Sequence, residues 1–72
     1  MTEVELKKLG WNFVKSYKHD EYITNRYKLD CMEIEFTYQD NKLITTDLTI
    51  SELNCIPINY KQAILLTELI KV

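Results

Sequence analysis

Residues 31–50, CMEIEFTYQDNKLITTDLTI, leave little room for anything but a β-hairpin. Met32, Ile34, Phe36 and Tyr38 alternate with Glu33, Glu35 and Thr37, so an extended chain carries one apolar and one charged face. Beyond the polar turn, Ile44, Thr46, Leu48 and Ile50 alternate with Leu43, Thr45, Asp47 and Thr49. Loop length decides which faces meet, because a slip of one residue turns every side chain over. A two-residue Asp40-Asn41 loop sets Tyr38 opposite Leu43 and Phe36 opposite Thr45, and buries Asp47 beside Ile34. A three-residue loop, Gln39-Asp40-Asn41, sets Tyr38 opposite Lys42, Phe36 opposite Ile44, Ile34 opposite Thr46 and Met32 opposite Leu48. It also puts Asn41 at a left-handed position, which Asn tolerates better than most residues. The three-residue loop keeps the apolar residues together and is the expected register. Its outer face carries Glu33, Glu35 and Asp47 among Thr37, Thr45 and Thr49.

The flanking segments predict two helices and two more strands. Thr2 and Glu5 have capping-box spacing for a short helix over residues 2–9, and Gly10 suits its left-handed stop, folding Trp11 back on Leu6. Residues 11–17 read as a strand with Trp11, Phe13 and Tyr17 beside Lys15 on one face, followed by a polar turn at residues 18–21. Residues 22–29 read as a second strand, with Ile23, Tyr27 and Leu29 in phase. The phase then shifts to even numbers, so Asp30 marks a tight turn or a bulge; the turn gives a meander, the bulge one long bent strand. Residues 51–58, with Pro57, form a connector, and Asn59 with Gln62 caps a last helix on which Ile58 and Ala63 hold staple positions. Ala63, Leu65, Leu66, Leu69 and Ile70 form its broad apolar face, Lys61, Glu68 and Lys71 its polar one, and Tyr60 and Ile64 fall outside the apolar face. No internal repeat is visible. The expected architecture is α+β: a short N-terminal helix, a four-stranded antiparallel β-meander, and a C-terminal helix packed on one sheet face.

At 72 residues the chain is one domain, 1–72, in which burial and ordering entropy nearly cancel. A monomer, a homo-oligomer, or a complex that covers apolar surface all satisfy that balance. The formal charge of -2 does not steer the chain toward nucleic acid or membrane. Two cysteines, Cys31 and Cys55, make a poor disulfide framework, and no signal peptide or apolar run of transmembrane length is present, so a cytoplasmic location with reduced thiols is expected.

Catalytic and cofactor chemistry find few residues to work with. One glycine cannot build a phosphate loop, one histidine without a paired-cysteine motif leaves a zinc site short of ligands, and no hydrolase triad is present. No catalytic residue, metal ligand or cofactor is therefore assigned. Glu33, Glu35 and Asp47 form an acidic patch that fits a solvated face or a basic partner surface better than a hard-cation site. Tyr60 and Ile64, one turn apart, suggest a protein contact. Lys15, Tyr17, Lys18, Tyr22, Arg26 and Lys28 mix cations with stacking rings, the pattern of a single-strand nucleic-acid surface, although Asp20 and Glu21 interrupt it. The leading expectation is a small non-catalytic protein-interaction module, with nucleic-acid binding as the alternative. Low Arg with abundant Lys, Ile, Asn and Tyr suggests AT-rich coding. In its size, lack of catalytic motif and AT-rich bias the chain is similar in general character to accessory or inhibitory proteins of phages and mobile elements.

Overall fold

The computed structural model describes residues 1–50 and 56–70, the side chains of Ile56 and Ile70 excepted. Cys55 and Lys71 lie outside the described residues, as does most of the expected connector. The first helix, α1 (Glu3–Lys8), starts as its spacing predicts: Glu5 N–H donates to Thr2 Oγ1 at 3.2 Å, and Thr2 N–H donates to Glu5 Oε1 at 2.8 Å. It stops at Gly10, whose φ of 103° is open to a residue without Cβ. Gly10 N–H donates to Lys7 O at 3.0 Å and Trp11 N–H to Leu6 O at 3.3 Å, a Schellman ending that lays the indole on Leu6.

Then come β1 (Asn12–His19), β2 (Tyr22–Leu29), β3 (Met32–Gln39), β4 (Lys42–Ile50), β5 (Ile56–Pro57) and α2 (Tyr60–Ile70). The strands form one antiparallel sheet in chain order, so the four-stranded meander and its two flanking helices are as expected. Short β5 is an addition, pairing Pro57 with Asp47 and Ile56 with Leu48 where only a connector was expected. Its place at the sheet edge makes a proline acceptable.

The strands follow a ten-residue rhythm that the sequence reading missed. Asp20, Asp30 and Asp40 each open a two-residue turn with φ of 53°, 55° and 52°, and Asn41 follows at 65°. Aspartate and asparagine occupy this left-handed region because a short polar side chain bonds its own backbone there. Asp30 is thus a turn, as the meander requires.

The hairpin register departs from expectation in a specific way. The loop is Asp40-Asn41, with Gln39 opposite Lys42 and Tyr38 opposite Leu43, not the three-residue loop. The next pair is Thr37 with Thr45, so Ile44 is an extra, bulged residue. That insertion restores the phase, setting Phe36 against Thr46, Ile34 against Leu48 and Met32 against Ile50. A second bulge at Val14 separates Phe13, paired with Tyr27, from Lys15, paired with Arg26. Phe13 therefore faces the helices while Lys15 and Tyr17 face away, correcting the single face expected for β1. Trp11 precedes the strand altogether.

The core lies between the sheet and the helices: Leu6, Trp11, Tyr27, Met32, Ile34, Phe36, Leu48, Ile58 and Ala63. Tyr27 meets Phe13 and Phe36 edge to face, at 5.6 and 5.7 Å between ring centroids. α2 is capped as expected, with Asn59 N–H to Gln62 Oε1 and Gln62 N–H to Asn59 Oδ1, both 2.9 Å. Its rotation, however, corrects the wheel. Leu65 and Leu69 are 61% and 72% exposed, whereas Ala63 and Thr67 are buried and Tyr60 and Ile64 half-buried. Trp11 supplies the reason: its buried Nε1–H donates to Thr67 Oγ1 at 2.8 Å, and that hydroxyl donates to Ala63 O at 2.7 Å. A buried indole needs an acceptor, so the helix turns a threonine inward and two leucines outward.

α1 is tied to the sheet by one carboxylate. Glu3 accepts from Tyr27 Oη at 2.6 Å, from Asn25 Nδ2 at 3.1 and 3.2 Å, and from Tyr38 Oη. Burial disfavours its ionised form, but the Tyr27, Tyr38 and Asn25 donors with nearby Lys7 outweigh burial and hold Glu3 below the ordinary carboxylate value. Burial, then hydrogen bonding to Glu3, pushes both tyrosines up. No helix among the described residues is long and apolar enough to cross a membrane.

Candidate functional site

The sheet face turned away from the helices collects most of the residues that carry chemistry. The β1–β2 register places Lys15 against Arg26, Tyr17 against Thr24 and His19 against Tyr22. β3 and β4 continue the face with Glu33, Glu35 and Thr37 against Thr49, Asp47 and Thr45. The surface is therefore striped, with cations on β1–β2 and carboxylates on β3–β4.

Arg26 joins the stripes. Its Nε and Nη2 donate to Glu35 Oε2 at 3.0 and 2.9 Å, and its Nε lies 3.8 Å from Glu33 Oε2. Tyr17 Oη donates to the same Glu35 oxygen at 2.5 Å and accepts from Arg26 Nη2 at 3.4 Å. The hydrogen bond to Glu35 raises the Tyr17 phenol and also raises the Arg26 guanidinium, so the first stays neutral and the second charged. Arg26 neutralises the Glu35–Asp47 pair, whose like charges stand directly opposite and would otherwise repel.

The Tyr17 ring lies under two cations, Lys15 Nζ at 5.1 Å and Arg26 Cζ at 5.5 Å. His19 stacks between Tyr17 and Tyr22, with centroids 5.9 and 5.8 Å away and interplanar angles of 28°. Beneath this row Thr24 is buried, with His19 Nε2 and Thr37 Oγ1 each 3.4 Å from its hydroxyl. Thr45 Oγ1 donates to Asp47 Oδ2 at 3.0 Å.

The structure brings Lys15, Tyr17, Tyr22, Arg26 and Lys28 onto this one face with Glu33, Glu35 and Asp47. It does not bring Lys18, which pairs with Ile23 and lines a hollow of about 440 Å³ on the opposite side with Asp20, Glu21 and Asp40. Tyr60 and Ile64 belong to α2, in the other layer, half-buried and apart from the carboxylates. Two participants escaped the sequence reading. His19 lies at the end of β1 and not in the turn expected over residues 18–21, and its i+2 spacing from Tyr17 on the strand puts both rings on one face. Thr24 left no signal, because its burial comes from neighbouring strands. Among the described residues no group of three or more His, Cys, Asp or Glu is arranged to hold a metal ion. Cys31 is a free, exposed thiol in the second turn.

No protein-family model matches the chain, and searches of curated proteins and of solved structures likewise return no match.

Proposed function

We propose that the chain is a small non-catalytic protein-binding module that works in the cytoplasm, in the manner of accessory or inhibitory proteins of mobile elements, and that it meets its target with the outer sheet face. The observation carrying this reading is the Tyr17–Arg26–Glu35 cluster, which holds an aromatic ring and a guanidinium in fixed positions on an uncovered surface. Tyrosine and arginine dominate interface energetics, and side chains already fixed lose less entropy on binding. The adjoining charge stripes suit a target with the complementary arrangement, with Glu33 and Asp47 meeting cations and Lys15 and Lys28 meeting carboxylates.

A quantitative pull-down from host lysate tests it. Tyr17→Ala or Arg26→Ala is expected to reduce capture of the partner by roughly 30-fold, the effect of losing a hot-spot residue worth about 2 kcal/mol. Unchanged capture by both variants removes the outer face from the interaction.

Nucleic-acid binding remains as a second reading, because five of the six cationic and aromatic residues share this face. The carboxylates of β3 and β4 stand against it, since they repel phosphates. Gel-shift titration of a single-stranded oligonucleotide separates the two readings. Binding that weakens steeply with salt and is lost in Lys15→Ala/Lys28→Ala favours nucleic acid, and its absence at physiological salt favours protein.

A further inference from the structure

We infer that α2 is a second interface, independent of the outer sheet face, and that it pairs antiparallel with α2 of another copy of this chain about a two-fold axis beside Leu65. The rotation set by Trp11 and Thr67 leaves Lys61, Leu65, Glu68 and Leu69 exposed. At about 100° per residue they form one strip, with Leu65 opposite buried Ala63 and Thr67. The two leucines, 61% and 72% exposed, make that strip a ridge. Beside it opens an apolar groove of about 280 Å³, lined by Leu48, Pro57, Ile58, Gln62, Leu65 and Leu66.

A ridge and a groove on one surface are self-complementary, which a two-fold interface requires. In an antiparallel pair centred on Leu65, Leu65 meets its own copy and each Lys61 faces the other chain's Leu69, next to its Glu68. The second copy's Leu69 thereby arrives at the end of α2 where Pro57, Ile58 and Gln62 form the groove. Opposite charges then meet twice. Parallel pairing would set Lys61 on Lys61 and Glu68 on Glu68, so charge selects the antiparallel arrangement. The partner is thus a second copy. α2, with eleven residues, is only about 16 Å long, so the contact is smaller than the roughly 800 Å² per partner of a standard interface. The dimer is accordingly weak and forms only at high protein concentration.

Sedimentation equilibrium of the full chain, from about 5 µM to about 1 mM, tests this directly. The wild type is expected to shift from monomer to dimer, and Leu65→Ser/Leu69→Ser to stay monomeric with its circular dichroism and melting curve intact. Lys61→Glu alone and Glu68→Lys alone are each expected to weaken association about tenfold or more, and the double swap to recover it. That recovery belongs to antiparallel pairing alone. A wild type monomeric throughout the range, a dimer indifferent to the leucine changes, or a double swap no better than the singles overturns the inference. Tyr17→Ala leaves dimerisation unchanged, so this interface and the outer-face reading fail or stand separately.

Discussion

Trp11→Ala is expected to remove roughly 3–5 kcal/mol of unfolding free energy, measured from the urea midpoint at constant m-value. A chain of this size has about 4–11 kcal/mol in total, so the variant sits near the limit of folding. The indole fills the space where Leu6 and α2 meet the sheet and is 2% exposed, so its loss leaves a cavity at the junction of three elements. It also holds the rotation of α2 through Thr67. The near-isosteric Thr67→Val separates these roles: it keeps the volume and strands a buried N–H, at a cost of about 1–3 kcal/mol. In Trp11→Phe/Thr67→Val neither partner remains unpaired, and the double variant should cost less than the sum of the singles by at least about 0.5 kcal/mol. Strict additivity, or a neutral Thr67→Val, would mean that something other than the indole turns α2.

The same pair marks where the sequence stopped being readable. Elements governed by local chemistry were legible: the Thr2–Glu5 and Asn59–Gln62 boxes, the Gly10 stop, and the alternation of Met32, Ile34 and Phe36 against Glu33 and Glu35 all occur as expected. Features set by distant partners were not. Hydrophobicity puts Leu65 and Leu69 inward and Thr67 outward, and only Trp11, 56 positions away in the chain, reverses that order. The bulges at Val14 and Ile44 were hidden for a related reason, because alternation shows the phase within a strand but not an inserted residue. Choosing a longer loop to rescue the phase was one of two solutions, and the chain uses the other. The asparagine at position 41 and the aspartates spaced ten apart did carry the signal for two-residue turns. As for the candidate site, the cations, rings and carboxylates were each legible in the sequence. The β1 bulge is what turns Lys15 and Tyr17 onto this face, whereas the Arg26–Glu35 link follows from the unbroken β2–β3 register, in which the two residues pair directly.

Glu3→Ala is expected to cost about 2–3 kcal/mol at neutral pH, near the value of a hydrogen-bonded charge discounted for its partial exposure. It removes the acceptor shared by Tyr27, Tyr38 and Asn25, and with it the tie between α1 and the sheet. The pH dependence identifies the cause. Glu3 is held below its unfolded value of 4.5, so the folded chain ionises it more readily than the unfolded one. Its contribution is therefore complete above that value and lost as pH falls through the lower, folded one. As pH falls from 7 past 4.5 and through the lower, folded value, the wild-type advantage over Glu3→Ala should shrink toward the packing difference alone. The tyrosines report from the other side. Tyr27 and Tyr38 ionise above their ordinary value of 10.0 in the folded chain, through burial first and Glu3 second. In Glu3→Ala their absorbance titration should move partway back, burial retaining the remainder. A stability difference that does not change across the acid range, together with an unmoved tyrosine titration, would show that α1 is held by Leu6 packing and not by this carboxylate.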